Sequence, residues 1–242
     1  MVKHITLQAL LIFMLFISCC LNALSNDLHV VTESWPPFNY KNEQGNIVGS
    51  STDNVNEILA LSALDYDITL YPWARTYKLA QSKKNHLIYA IYKTAEREKY
   101  FHWFCPIAPR IKLYFIKLAT SPIELSTFSQ AKTHKIGVVR KDAPNVYLIS
   151  EGFIPGVNLY EANNENSNIQ QLLSGTVDFI VQSKASIDYR LALMKLPKNI
   201  ITLSLELPIA SNDVCMALNI NSDVNILRKV TKGFNEWQKQ GH

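Results

Sequence analysis

The chain has 242 residues, with 24 Lys and Arg against 20 Asp and Glu, a formal charge of +4 and 48% hydrophobic residues. Its charges are scattered rather than blocked, which excludes a polybasic surface for nucleic acid or for anionic lipid. What remains is a globular chain, long enough for a large core in one or two domains.

The N-terminus opens on Met1-Val-Lys3-His4, continues as an almost wholly apolar run from Ile5 to Leu21, and leaves through the small residues Ala23 and Ser25. A short positive start, an apolar run and a small-x-small exit describe a secretory signal peptide over residues 1–25, cleaved after Ser25. A membrane anchor is the alternative, since the run approaches spanning length. No cluster of positive charges follows it as a stop signal requires. Lipoprotein processing at Cys19 or Cys20 is a third reading, on the loose lipobox Phe16-Ile-Ser-Cys19. Removal of residues 1–25 takes Lys3 and no acid, so 217 residues remain with a charge near +3. Four cysteines become two, Cys105 and Cys215. An oxidising compartment permits them to pair, their spacing matches no metal site, and two separate buried thiols is the favoured reading.

Along the mature chain, Leu28–Thr32 reads as a strand that ends at Trp35-Pro36-Pro37-Phe38, where two prolines forbid further pairing. Gly45 marks a turn, and Ile47–Gly49 returns from it. Asp53–Leu64 carries Val55, Ile58, Leu59 and Leu61 at helical spacing, with Asp53 as its cap. Tyr66–Tyr71 is a strand, Arg75–Ser82 a helix and Leu87–Tyr92 a buried strand. This alternation predicts a parallel α/β sheet, whose ligands sit beyond the carboxyl ends of the strands. Glu33, Trp35, Trp73 and Arg97 fall at such ends.

A second α/β unit follows. Its expected strands are Arg110–Leu118, Lys135–Val139, Asn158–Tyr160 and Val177–Val181. Its expected helices are Pro144–Ser150, Asn168–Ser174 (stopped by Gly175) and Lys184–Met194. Val214–Leu218 is a late strand. Val224–Lys239 is an amphipathic helix with Val224, Leu227, Val230, Phe234 and Trp237 on one side.

The stretch Tyr71–Pro106 gathers aromatic faces around two arginines, in Trp73-Ala-Arg75 and Thr94-Ala-Glu-Arg97. A guanidinium just past a buried strand suits a carboxylate, which it matches with a planar fork at any working pH. The four internal histidines His29, His86, His102 and His134 show no metal spacing, and no nucleophile elbow, phosphate loop or dinucleotide fingerprint occurs. The residues therefore predict a binding protein, not an enzyme, with no cofactor and no metal. Glu33 is the one acid placed for a cleft enzyme such as a dehydratase.

Thr32-Glu-Ser-Trp-Pro-Pro-Phe38, Gly45–Asp53, Pro72-Trp-Ala-Arg75, Thr94-Ala-Glu-Arg97, Phe101–Pro106 and Gly175-Thr-Val-Asp178 together resemble the bacterial family 3 extracellular solute-binding proteins. These are the amino-acid-binding type of periplasmic receptor that serves ABC transporters. The resemblance implies a periplasmic, monomeric type II binding-protein fold of two α/β lobes with mixed sheets, joined by a two-strand hinge. Lobe I is then 26–109 plus 206–242 and lobe II is 110–205. It implies that Arg97 holds a ligand carboxylate, that Trp35 stacks on the ligand and that Tyr92 lines the cleft. It also implies delivery of the solute to a membrane permease, a sensory receptor of the same fold being the rival reading. The chain departs from the pattern in lobe II. Arg140-Lys-Asp142 stands where amino-acid binders carry a Gly-Ser/Thr pair. Ser183 stands where they carry the aspartate for the ligand's ammonium. Arg140, Asp142 and Ser183 are then the lobe II contact candidates, with Glu33 or Asp142 as substitute acids.

Overall fold

The structure, a computed structural model, describes residues 28–209 and 213–241. The signal-peptide, anchor and lipidation readings fall on residues outside these. The first sheet begins with β1 (Leu28–Thr32), and a short ribbon of β2 (Tyr40–Lys41) and β3 (Ile47–Val48) precedes α1 (Ser50–Ser62). Then come β4 (Tyr66–Leu70), α2 (Trp73–Ser82), β5 (His86–Tyr92), the single turn α3 (Ala95–Glu98) and β6 (Phe101–Ala108). The second sheet uses β7 (Leu113–Leu118), β8 (Ile136–Val139), α4 (Ala143–Ser150), β9 (Leu159–Ala162), α5 (Glu165–Leu173), β10 (Phe179–Ser183), α6 (Lys184–Leu193) and β11 (Ile201–Glu206). The chain then returns through β12 (Val214–Asn219) and ends on α7 (Val224–Lys239).

The sheet orders are β4-β1-β5-β12-β6 and β11-β7-β10-β8-β9. β4, β1 and β5 are parallel, as the strand–helix alternation predicts, while β12 lies antiparallel between β5 and β6. The second sheet is mixed in the same way, with β8, β9 and β10 parallel and β7 and β11 antiparallel. The result is two α/β lobes. Val30, Leu87, Met216 and Leu218 share one buried cluster with Val55, Ile58 and Leu59 of α1 and with Val230, Phe234 and Trp237 of α7. In the other lobe, Ile116 and Ile180 pack with Ile169 and Leu172 of α5 and Ile187 and Leu191 of α6. Two crossovers join the lobes, from β6 to β7 and from β11 to β12. They run side by side, since the Leu207 N–H donates to the Leu113 carbonyl at 2.8 Å and Lys112 pairs with Glu206 at 2.8 Å.

Several sequence expectations change. α1 starts at Ser50 with Gly49 at its N-cap, so Asp53 sits in the first turn rather than at the cap. An acid there still complements the helix dipole. Val224 is 75% exposed, and Ile226 and Gly233 join the buried face of α7 in its place. Two strands of the five-stranded sheets escape the sequence reading, β6 and β11, each at one edge of its sheet. An edge strand tolerates the proline in β6, Pro106, which sits where the pairing with β12 is interrupted. Cys105 on β6 and Cys215 on β12 form a disulfide, which corrects the reading of two separate thiols. Antiparallel neighbours bring the two Cα atoms to 4.6 Å, within bonding reach.

Gly49 ties α1 to the turn that follows β1. Its φ is +120°, and a Cβ there would stand 2.5 Å from the Phe38 carbonyl oxygen and 2.6 Å from that of Pro37. The close approach lets the Ser51 N–H donate to the Phe38 carbonyl at 2.9 Å. Gly49→Ala therefore combines backbone strain with a clash against main chain, and is expected to lower unfolding free energy by about 2–3 kcal/mol. Urea denaturation checks this; an unchanged midpoint would mean that the turn moves aside freely.

Candidate functional site

The site is built where strand ends of both lobes face each other. After β1, the Asn39 side-chain amide donates to Thr32 Oγ1 at 3.0 Å and to the Glu33 carbonyl at 2.8 Å. The Trp35 N–H closes the same turn on the Asn39 carbonyl at 2.7 Å. These bonds fix Glu33 and Trp35 at the mouth of the strand. The Trp35 ring lies 4.8 Å from Phe38 and meets Tyr92 edge-on at 5.8 Å, and its Nε1 donates across the cleft to Gln182 Oε1 at 3.3 Å. On β5, the pairing with β12 slips between Cys215 and Met216, leaving Ala90 without an opposite residue and at φ +57°. Such a bulge re-aims the strand, and here Ala90 joins the cavity wall.

Arg97, in α3, is 2% exposed. Its guanidinium carbon sits 4.9 Å from the centre of the Trp73 ring and 5.2 Å from that of Tyr77, and those two rings stack. Nη1 donates to the Tyr92 carbonyl at 3.3 Å and Nη2 to the Lys141 carbonyl at 3.1 Å. Trp73 Nε1 donates to the same Lys141 carbonyl at 2.6 Å. Lys141 holds φ +63°, an uncommon state for a side-chain-bearing residue, and thereby presents that carbonyl to the opposite lobe. No carboxylate among the described residues lies within ion-pair distance of Arg97, and burial lowers its pKa, opposed chiefly by Tyr77 and Asp142.

Glu33, Trp35, Trp73, Ala90, Tyr92, Arg97, Leu113, Asp142, Ala143, Pro144, Glu165, Val181 and Gln182 enclose a cavity of ≈ 40 Å³. Three carboxyl groups line it. Each residue keeps part of its surface in solvent, yet burial governs all three acidities. Burial, reinforced by Glu165, pushes the Glu33 carboxyl up to about 8, against the pull of Arg190 and Arg97. Burial pushes Glu165 up to about 7, opposed by Arg190 and then by the Gln182 and Asn168 amides. Those amides lie near enough to favour the carboxylate without forming a hydrogen bond of good geometry. Burial and then Glu165 raise Asp142 well above the usual range, although its side chain caps α4 by accepting from the Asn145 N–H at 2.7 Å. The Tyr92 hydroxyl, Gln182 Nε2 and Glu165 Oε2 are buried without a hydrogen-bond partner. Groups of this kind are costly unless something polar meets them.

Six of the nine residues singled out from sequence therefore line one cavity: Glu33, Trp35, Trp73, Tyr92, Arg97 and Asp142. Three do not. Arg75 is exposed and stacks over Tyr71 at 4.1 Å, because helical geometry turns it away from Trp73. Arg140 is exposed and its Nε stands 3.5 Å from Glu161. Ser183 caps α6, its hydroxyl accepting from the Ser186 N–H. The sequence reading missed Glu165, Gln182, Ala90 and Tyr77. Glu165 lies in the polar run Asn163-Asn-Glu-Asn166, which looks like a solvated turn until α5 brings its first residue over the cleft.

The raised carboxyls give a pH dependence. A carboxyl at about 8 in the folded chain and near 4.5 when unfolded binds more proton in the folded state between those values, so stability falls as pH rises through that window. The melting temperature of the ligand-free protein is thus expected to drop between about pH 5 and about pH 8. Glu33→Gln should remove a large part of that drop and stabilise the protein at the alkaline end. Equal pH slopes for the two proteins, measured by calorimetry, would show that Glu33 is ionised at no cost.

A model of the bacterial extracellular solute-binding proteins, family 3, matches residues 28–241. The chain belongs to that family. Its members are extracytoplasmic binding proteins for small molecules, and no described helix is long and apolar enough to cross a membrane. Among solved structures, the arginine-, lysine-, histidine-binding protein ArtJ from Geobacillus stearothermophilus is 22% identical, covering 88% of this chain and 90% of its own, with TM-score 0.74. A mutant of ArgBP from T. maritima is 19% identical over 88% and 90%, with TM-score 0.73. A histidine kinase sensor domain similar to periplasmic binding proteins is 16% identical over 88% and 91%, with TM-score 0.75. At these identities the solved structures establish the two-lobe fold of this family 3 chain, and no ligand. No curated protein matches it.

Proposed function

We propose that the chain is a periplasmic binding protein, exported with cleavage after Ser25, that captures a small carboxylate-bearing, amino-acid-like solute and presents it to a membrane permease. Arg97 carries this reading: a deeply buried guanidinium, set against the stacked rings of Trp73 and Tyr77, with carbonyls but no described carboxylate as partners. A ligand carboxylate supplies the missing anion, and Trp35 and Tyr92 offer it apolar walls. Lobe I is 26–109 plus 206–242 and lobe II is 110–205, moving about the paired crossovers. Trp35–Gln182, Trp73–Lys141 and Arg97–Lys141 all span the two lobes, so the form described is closed. Its ≈ 40 Å³ holds about three waters, so an amino acid keeps the lobes slightly further apart, and contacts to both lobes select the closed state.

Thermal shift of residues 26–242 against amino acids, organic acids, amines and short peptides tests the reading, because a ligand of the folded state raises the melting point by mass action. A hit lost in Arg97→Ala supports it, and a hit indifferent to Arg97→Ala moves the site elsewhere. The sensor-domain neighbour keeps a second reading open, a receptor that reports the same solute to a membrane partner. Pull-down of a permease rather than a kinase by the liganded protein separates the two.

A further inference from the structure

We propose that His29 and His86 form a two-histidine site for a divalent transition-metal ion, Zn²⁺ by its geometry, at the end of the first sheet remote from the cleft. The site is independent of the solute reading above.

The internal histidines have no metal spacing along the chain, but parallel strands in register set residues of one row on one face of the sheet. His29, second in β1, stands opposite Asp67 of β4 on one side and opposite His86, first in β5, on the other. The two imidazole centres lie 5.1 Å apart with their planes at 45°. This row lies at the strand starts. Tyr92, which lines the cavity, is six residues further along β5, a distance of about 20 Å.

The hydrogen bonds fix which ring nitrogen is available. His29 Nδ1 stands 2.7 Å from Asp67 Oδ1, and His86 Nδ1 stands 3.1 Å from the Lys84 carbonyl oxygen. A carboxylate and a backbone carbonyl accept, so each Nδ1 carries the proton and donates. The lone pair of each neutral ring is then on Nε2, and neither Nε2 has a hydrogen-bond partner among the described residues. Metal-binding histidines are held in this way, one nitrogen donating to a carboxylate or a carbonyl while the other ligates. Thr69 Oγ1 steadies the carboxylate, donating to Asp67 Oδ2 at 3.4 Å. The Lys84 ammonium is taken up by Asp223 at 3.4 Å.

The ring spacing selects the ion. A metal about 2.0–2.1 Å from Nε2 stands about 3.2 Å from the ring centre, so two rings at a tetrahedral angle have centres about 5.2 Å apart. Rings at the right angle that tetragonal Cu²⁺ prefers would have centres about 4.5 Å apart. The observed 5.1 Å meets the tetrahedral case. Among the described residues no three His, Cys, Asp or Glu side chains converge as a metal-holding group, so the chain supplies two ligands. The half-exposed His29 side chain leaves the other positions to water. Structural zinc sites close with four protein ligands; this one exchanges its ion with solution.

Calorimetric titration of the untagged, chelator-treated mature protein with zinc chloride at about pH 7.5 tests this. One ion per chain is expected, with affinity falling about 30-fold or more in His29→Asn and in His86→Asn. Asp67→Asn keeps an acceptor and loses the charge, and should weaken binding about tenfold. His102→Gln and His134→Gln should leave affinity within about twofold. A pair that only braces the strands would move the melting temperature in these variants without moving zinc affinity. Nitrogen NMR of the wild-type protein needs no variant, and should show both rings as the Nδ1–H tautomer before zinc is added. No saturable zinc binding, binding indifferent to both histidine variants, or an Nε2–H tautomer in either ring overturns the inference. Each of these results leaves solute capture in the cleft untouched.

Discussion

Arg97→Ala is expected to weaken ligand binding by at least about 100-fold, a loss of about 3 kcal/mol. The size follows from burial. A guanidinium in open solvent contributes little to a carboxylate contact, but Arg97 is 2% exposed and braced by Trp73 and Tyr77. Lobe closure takes it out of water, so a carboxylate trapped there meets a braced, charge-assisted partner. The same side chain holds the Tyr92 and Lys141 carbonyls, so alanine also loosens lobe closure. Arg97→Lys separates the two effects. It keeps the charge, loses the fork, and should lose about tenfold if bidentate geometry matters. Titration calorimetry with the ligand from the thermal screen measures both. Wild-type affinity in Arg97→Ala would remove the carboxylate from this site.

Loss of the Cys105–Cys215 disulfide should lower the stability of the protein by about 2–4 kcal/mol, which for a chain of this size moves the melting temperature down by roughly 5–15 °C. The bond joins neighbouring strands β6 and β12 across a sequence separation of 110, and a link closing so long a loop restricts the unfolded chain strongly. Paired Cys105→Ser and Cys215→Ser substitutions, and wild type with reductant, should agree in midpoint. Ligand affinity should change less than stability, because the bond lies within one lobe. Equal melting with and without reductant, together with two titratable thiols in the unreduced denatured protein, would show that the cysteines are separate.

The two-lobe fold was legible because its markers are local. Alternating strand and helix patterns, the Trp35-Pro-Pro turn and the glycine after α5 each act within a few residues, and Gly175 does sit at φ +73° just past that helix. The edge strand β6 was not, since Phe101–Ala108 carries His, Trp and Pro, and its place is set by β12 more than a hundred residues later. Arg97 and Trp35 reach the cavity from positions just past strands, and Tyr92 was marked by the family resemblance. Glu165 could not be found, because its position depends on how α5 lies over the second sheet, a tertiary fact. Counting along the chain from Asp178 led to Ser183, yet the backbone there starts a helix and claims the hydroxyl for a cap. The acids that do line the cavity, Glu33, Asp142 and Glu165, stand on other elements, and only three-dimensional proximity shows them together.

β12 occupies an interior place in its sheet although it is made near the end of the chain. Until residue 219 has been synthesised, β5 and β6 have no strand between them, and each offers open main-chain hydrogen bonds to any passing strand. The second sheet has no such debt, since all five of its strands lie between Leu113 and Glu206. A ribosome releasing this protein therefore delivers a lobe that is able to finish itself inside one that must wait for its final segment. During that interval the two strand edges stay open to wrong pairing.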